Sequence, residues 1–332
     1  METRKVQVTG GSTYTVSLPK EWATENKVTA GSVVEFHSEE DLLLVTPHTE
    51  DGRVEGTMDV TGLTTEHELT RAVMTMYVSG FDVITLESDP MTADQRRAVR
   101  DASQRLVGLE VIEEQPNGIV LQDLLDSSEL SIQNAVTRMR LVSLTMFEDA
   151  VEALVTGDET LADDVIERDN DVDRLWYLTS RVLRQVLRNP TAADEIGFAR
   201  ETCFDLQSTA RQLERIADHA TKIAELSLET ETVPETAVKQ LQTLRREAAA
   251  VPETAMDAVL TDDPDEAVEL AATARAQIDD VNERARALNA EIREYDPQLA
   301  QTLGLVTDSL SRTADYGGNI AENALQMAAP RP

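Results

Sequence analysis

Glu-Arg-Ile-Ala-Asp-His-Ala-Thr-Lys-Ile-Ala-Glu (214–225) is echoed by Ser-Arg-Thr-Ala-Asp-Tyr-Gly-Gly-Asn-Ile-Ala-Glu (311–322), with six of twelve positions identical at a constant offset of 97. Each copy sets acids seven apart, Asp218 and Glu225 in the first, Asp315 and Glu322 in the second. Seven residues nearly close two turns of about 3.6, so each pair lies on one helical stripe. The pairing Val172-Asp173 with Ile278-Asp279, at an offset of 106, carries the duplication into the preceding helix. The shift from 106 to 97 fits a longer second connection in the first copy, Asn189–Gly197.

Residues 129–328 read as helix almost throughout. Helix stops followed by a new cap or a leading proline fall at Gly157-Asp158, Asn189-Pro190, Val233-Pro234, Asp263-Pro264 and Asp296-Pro297. They divide the segment into six helices and two three-helix repeats, 129–230 and 234–328. The expected fold class is mainly α, with two three-helix bundles after a β-rich N-terminus.

Ahead of the helices lie two smaller pieces. Residues 1–48 hold short β-branched runs: Lys5–Thr9, Thr13–Leu18, Val33–His37 and Leu42–Thr46, with turns at Gly10-Gly11 and Ala30-Gly31-Ser32 and a short helix over Lys20–Asn26. Four strands in so short a segment cannot bury a core alone, which predicts a partner chain. Residues 52–128 alternate helical (Glu66–Ser79, Thr92–Val107) and strand (Phe81–Leu86, Glu110–Glu113, Ile119–Leu121) signals, the order β-α-β-α-β-β of a small α+β domain. This domain carries no catalytic motif, and His67, followed by Glu68 with no second spaced histidine, reads as a helix-surface residue.

Composition narrows the function classes. The 332 residues include 62 acidic and 30 basic side chains, a net charge of −32. Only five of the bases are lysine (5, 20, 27, 222, 239). A field this negative argues against generic nucleic-acid binding. Acid excess with lysine depletion resembles the proteins of extreme halophiles, where concentrated salt screens repulsion, and predicts a haloarchaeal source. The lone cysteine, Cys203, fits a reducing compartment. No apolar run approaches ~18 residues and no signal-peptide h-region opens the chain, so a cytoplasmic protein without membrane insertion is expected.

The carboxylates are the candidate site. Asp169 and Asp173 share a face of the second helix, and Glu214 and Asp218 a face of the third. Two acidic i,i+4 pairs on adjacent helices repel unless they face water or a cation. Hard cations such as iron or magnesium take all-oxygen ligands. Solvated acidic faces are the competing reading in so acidic a chain. Arg215–Asp218 has the spacing of an i,i+3 ion pair, and His219 is expected to pack or cap. No Glu-x-x-His spacing of a di-iron oxidase occurs, and no nucleophile–base pair is evident, so an enzyme is not expected.

Two resemblances bear on these residues. Ser-Thr-Tyr-Thr-Val-Ser-Leu-Pro-Lys-Glu-Trp (12–22), Ala-Gly-Ser-Val-Val-Glu-Phe (30–36) and Leu-Leu-Leu-Val-Thr-Pro (42–47) resemble, in order, the AbrB/MazE-type swapped-hairpin domain. That likeness implies an intertwined homodimer that often binds DNA, with Arg4, Lys5, Thr13, Thr15 and Lys20 as candidate contacts. Against it, residues 1–48 carry seven acids and four bases, a local net of about −3. The two helical repeats, ending in Glu/Asp-Arg-x-x-Asp-x-x-x-x-Ile-Ala-Glu, resemble PhoU, the phosphate-uptake regulators. Members of that family regulate the phosphate transporter and its signalling kinase, and some bind multinuclear metal clusters through Glu-x-x-x-Asp. The resemblance implies Glu214 and Asp218 as motif carboxylates supported by Asp173 and Asp169, and Asp279 and Asp315 as their counterparts in the second repeat. The second set is eroded: Ser311 stands at the place of Glu214 and Arg275 at that of Asp169, where it could pair with Asp279 or Asp315. The implied function is regulation of phosphate homeostasis by a DNA-binding regulator with a sensing bundle. The alternative is a non-DNA-binding adaptor docking on the phosphate transporter ATPase or a kinase. Iron, magnesium or another divalent cation is the implied cofactor.

Overall fold

The computed structural model describes residues 3–39, 42–48, 53–125, 131–189, 192–193 and 196–330. It divides into two compact units, Met1–Arg53 and Val54–Pro332. Parts of the expected Ser38–Asp41 turn and Asn189–Gly197 connection, and the boundaries near 52 and 129, lie outside the described residues.

In the first unit, β1 (Gln7–Thr9) and β2 (Thr13–Thr15) pair antiparallel, Gln7 opposite Thr15. Gly10 and Gly11 both take positive φ, the combination that lets a tight turn follow the strand twist. Pro19 precedes the short helix α1 (Lys20–Glu25), and β3 (Val34–Glu39) pairs antiparallel with β4 (Leu42–Pro47). The two hairpins form separate two-stranded sheets. The first is shorter than its alternating sequence predicts, since pairing stops where no second strand lies opposite. Among the described residues of 3–48 no side chain is buried, and Val8, Tyr14, Val16, Phe36, Leu42 and Leu43 stand exposed.

The second unit begins with a four-stranded sheet ordered β5-β6-β8-β7: β5 (Glu55–Asp59), β6 (Val83–Glu87), β7 (Leu109–Gln115) and β8 (Gly118–Asp123). Strands β5 and β6 are parallel, as a helical crossover requires, and the remaining pairs are antiparallel. The crossover is α2 (Glu66–Val78), and α3 (Ala93–Gln104) follows β6. Both helices start in capping boxes, Thr65 with Glu68 and Thr92 with Gln95. Glu68 is therefore a cap, and His67 is solvent-exposed as its surroundings predict. Val73, Tyr77 and Val99 of the helices close over Ile84, Leu86, Ile119 and Leu121 of the sheet.

Six long helices follow: α4 (Ile132–Thr156), α5 (Glu159–Arg188), α6 (Arg200–Leu228), α7 (Glu235–Leu260), α8 (Pro264–Ile292) and α9 (Pro297–Ala328). Ser131, Asp158, Asp263 and Asp296 cap the N-termini of α4, α5, α8 and α9, with proline leading α8 and α9. Helices α4–α6 and α7–α9 pack within each repeat, and α6 packs on α9 between repeats. One continuous apolar core runs through both. Close approach comes from small residues: a Cβ on Gly317 of α9 would lie 2.6 Å from the Pro252 nitrogen of α7. No described helix is long and apolar enough to cross a membrane.

A buried arginine joins the sheet domain to the first repeat. Arg181 of α5 is 0% exposed. Its Nη1 donates to the Tyr77 and Phe81 carbonyl oxygens (2.9 and 2.8 Å), and its Nη2 donates to Asp82 Oδ1 (2.7 Å). Its Nε donates to Asp123 Oδ2 (2.9 Å), and its guanidinium stacks 4.9 Å from the centre of the Tyr77 ring. Asp82 also accepts from the Val54 amide and Asp123 from that of Leu125, so the clamp grips both ends of the sheet domain. Arg188, two turns on, donates to the Ser79 carbonyl just past α2. The planar five-donor fork of arginine suits such a multidentate contact, and cations suit a helix C-terminus.

Candidate functional site

The amphipathic pattern that buries Val172 and Leu178 of α5 and Leu213, Ile216 and Ala217 of α6 turns their acidic stripes toward one another. Glu214 is buried, Asp169 and Asp173 are half-buried, and Asp218 is exposed. Glu214 Oε1 accepts from Arg211 Nη1 at 2.9 Å, while Oε2 is buried without a hydrogen-bond partner among the described residues. The Arg211 guanidinium stacks 5.0 Å from the centre of the Trp176 ring. Arg211, Glu214 and Trp176 thus form one chain of contacts between α6 and α5.

The electrostatics follow from crowding. Burial, and then the Asp218 charge, push Glu214 up to about 7 against the opposing pull of Arg211. Asp169 rises to about 6 through burial and then Asp218, and Asp173 to about 6 through burial and then Asp169. Asp218, though open to solvent on one side, is also raised by desolvation, with Arg211 and Arg215 opposing. Asp169, Asp173 and Glu214 each feel another acid of the group, so their ionised forms are disfavoured by burial and by like charge together. Tyr177, one turn beyond Asp173, is pushed up to about 12 by burial and then by Asp173, Glu214 and Asp169.

This donor set, four carboxylates with one buried orphan oxygen, fits a hard divalent cation in charge and ligand type. Among the described residues no three carboxylate, imidazole or thiol groups converge into a preformed cage.

The second repeat is different. Asp279 of α8 and Asp315 of α9 line an open groove of about 460 Å³ together with Asp308, Arg286, Arg312 and Ser311. Arg275 pairs with neither Asp279 nor Asp315, in contrast to the alternatives its position suggested. It reaches Glu322 at 3.8 Å, and Asp315 faces Arg312 at 3.7 Å. Ser311 donates to the Thr307 carbonyl of its own helix.

Of two further expectations, one changes and one holds. The i,i+3 ion pair on α6 is Arg211–Glu214, not Arg215–Asp218. Arg215 instead lies 5.7 Å from the centre of the Tyr316 ring, which α9 presents to it. His219 packs as expected, and its partner is its own repeat counterpart: Nε2 lies 3.3 Å from the Tyr316 hydroxyl. The α6–α9 contact therefore brings equivalent positions of the two repeats together.

In the first unit, Thr13 and Thr15 share one face of β2, and Thr15 Oγ1 donates to the Gln7 carbonyl. Arg4 and Lys5 precede β1 and Lys20 opens α1, all exposed. Trp176, Tyr177 and Arg181 take part in these contacts although no sequence motif announces them. The first two adjoin the acids in Asp-Val-Asp-Arg-Leu-Trp-Tyr (171–177), where Tyr177 falls four residues after Asp173 on the same stripe. Nothing local marked Arg181, whose partners lie about 60 to 100 residues earlier.

Both pieces of the chain are similar to known proteins. A PhoU domain model matches residues 136–227, and a model described as antidote-toxin recognition MazE, bacterial antitoxin, matches residues 7–52. A phosphate-specific transport system accessory protein PhoU homolog of Xylella fastidiosa is 26% identical over 210 residues, covering 59% of this chain and 84% of that protein. A PhoU homolog of Thermotoga maritima is 26% identical over 202 residues, covering 59% and 85%. The crystal structure of PhoU from Pseudomonas aeruginosa superposes with a TM-score of 0.51 at 22% identity, covering 59% of this chain and 94% of that one. PhoU from Streptococcus pneumoniae gives 0.50 at 19% identity, covering 59% and 92%. The helical part of the chain thus has the PhoU fold, and its N-terminal segment is similar to MazE antitoxins.

Proposed function

We propose that this protein regulates phosphate uptake in the cytoplasm. Its helical bundle responds to a divalent cation held by Glu214, Asp218, Asp173 and Asp169, and its N-terminal unit forms a homodimer that binds promoter DNA. The observation that carries the reading is the buried Glu214 Oε2, without a partner among the described residues, amid half-buried carboxylates, on a bundle similar to phosphate-transport accessory proteins. Such a cation, iron, magnesium or another hard ion, supplies the positive charge that lets all four acids stay ionised. Arg211 already offsets part of that repulsion from Glu214. The exposed apolar side chains of two unsupported hairpins favour dimerisation, since burying them against a second copy supplies the core that one copy lacks.

Trp176 gives a direct test. Cation binding at Glu214 competes with Arg211 and disturbs its stacking on Trp176, so emission should change on titration with Mg²⁺ or Mn²⁺ in a Trp22→Phe background. Unchanged emission together with no calorimetric binding would exclude the cation reading. Deleting the gene should alter phosphate uptake and transporter transcript between phosphate-rich and phosphate-poor medium; equal values in both would refute the phosphate assignment.

The acidity of residues 1–48 favours a second reading, an adaptor that contacts the phosphate transporter ATPase or a signalling kinase without touching DNA. A gel shift on the transporter promoter, run across molar salt where the protein folds, separates the two. A shift supports the DNA-binding regulator, whereas capture of the transporter ATPase without a shift supports the adaptor.

A further inference from the structure

Helix α5 serves two places at once. Asp173, Tyr177 and Arg181 follow one another on successive turns, four residues apart. Asp173 belongs to the acidic cluster. Arg181 is locked into the sheet domain by its fork of hydrogen bonds, about 12 Å further along the helix at about 1.5 Å per residue. Tyr177 stands between them: its ring packs on the core of the sheet domain, one turn from Asp173 on the same stripe of α5. No chain break or proline interrupts α5 between them.

We infer that residues 54–125 form a module coupled to cation occupancy of the acidic cluster, with Tyr177 and Arg181 as positioning residues; this rests on the cation reading above. The physical argument is one of stiffness. A cation that draws Asp169 and Asp173 toward Glu214 and Asp218 shifts α5 against α6. A continuous helix does not absorb that shift internally, because its backbone hydrogen bonds resist it. The displaced end carries the Arg181 fork, whose partners Asp82 and Asp123 tie down both ends of the sheet domain. The Tyr177 ring delivers the same displacement to the core beneath α2. Coupling of binding equilibria is reciprocal: if the cation tightens the docked module, disturbing the docking must weaken the cation by the same factor.

The test uses the 332-residue chain in molar KCl, with Mg²⁺ and Mn²⁺ as probes. Cation affinity is measured by calorimetry, and amide exchange is followed by mass spectrometry in peptides covering α2, β6 and β8. Saturating cation is expected to slow exchange in those peptides about fivefold or more, the lower range of known couplings. Tyr177→Ala should weaken cation binding by a similar factor and abolish the exchange response, while α7–α9 exchange as in the parent. If that variant does not fold, Tyr177→Phe, which keeps the ring and removes only the hydroxyl, should show a reduced response. Cation binding with unchanged exchange in α2, β6 and β8 would overturn the coupling and leave the cation site standing. Folded protein that binds neither ion would remove the site and the coupling together.

Discussion

Helices α5 and α8 occupy equivalent places in the two repeats, yet they have been put to different uses. Along α5 run Asp169, Asp173, Tyr177 and Arg181; at the corresponding positions α8 carries Arg275, Asp279, Glu283 and Ala287. The third helices diverge in the same direction, with Glu214 replaced by Ser311 and Arg211 by Asp308. The inward faces stayed alike: Leu213, Ala217 and Ala224 match Leu310, Ala314 and Ala321, all buried. The two repeats thus agree where apolar side chains pack and differ at polar positions, the buried Arg181 and Glu214 included. A core position answers to neighbours that were duplicated with it, whereas a polar position answers to whatever its own surroundings require. The first repeat holds a sheet domain and a crowded carboxylate cluster. The second has an open, mixed-charge groove.

The sharpest way to break this comparison is through Arg181. Arg181→Met leaves Asp123 and Asp82 with an uncompensated buried site, and should destabilise the protein by about 3–5 kcal/mol in denaturant unfolding. The repeat counterpart Ala287 holds nothing comparable, so Ala287→Ser should cost little. A small effect at Arg181 would mean that the sheet domain is held by its apolar contacts alone.

The cores should behave as equals. Leu213→Ala and Leu310→Ala each empty a fully buried position and should each cost about 2–5 kcal/mol by the same assay. Costs differing by more than that range would contradict a shared, continuous core.

The polar faces should not. Glu214→Gln is expected to weaken Mg²⁺ or Mn²⁺ binding more than tenfold, about 1.4 kcal/mol, whereas Ser311→Ala leaves it unchanged. Restoring the missing acids with Arg275→Asp and Ser311→Glu should raise the calorimetric stoichiometry from one ion to two. Equal losses at 214 and 311 would return the two sites to equivalence.

The smallest effect is a pH slope. Glu214, Asp169 and Asp173 titrate higher in the folded chain, at about 7, 6 and 6, than the roughly 4 of an unfolded carboxylate. Between those values the folded state binds more protons, so stability falls as pH rises. The contribution of the cluster is complete below about pH 4 and is lost as pH climbs through 6 and 7. In chelator, the melting temperature of the parent should therefore drop from pH 5 to pH 8 more steeply than that of a variant carrying Asp169→Asn, Asp173→Asn and Glu214→Gln. Added cation should flatten the slope of the parent.

Much of this architecture could be read locally. The helix boundaries follow Asp158, Asp263-Pro264 and Asp296-Pro297 because caps and prolines act on the next turn of chain, without help from distant residues. The hairpin at Gly10-Gly11 and the helices at Thr65 and Thr92 are legible for the same reason. Spacing also placed Asp169 with Asp173 and Glu214 with Asp218, since i,i+4 neighbours share a face in any helix. Ion-pair partners were less legible: Arg215 turned to Tyr316 and Arg275 to Glu322, choices made by side chains on other elements.

What the sequence determined by itself, then, is the duplicated helical chain, its β-rich head and two acidic stripes, because each depends on periodicity and on residues within a turn or two. Tertiary structure alone decided that the stripes of α5 and α6 face each other, and that Glu214 keeps an oxygen buried without a partner. It also decided that Arg181, silent in the sequence, carries the sheet domain on the same helix as the acids. Those outcomes depend on burial and on partners brought from far along the chain, and desolvation has no signature in spacing.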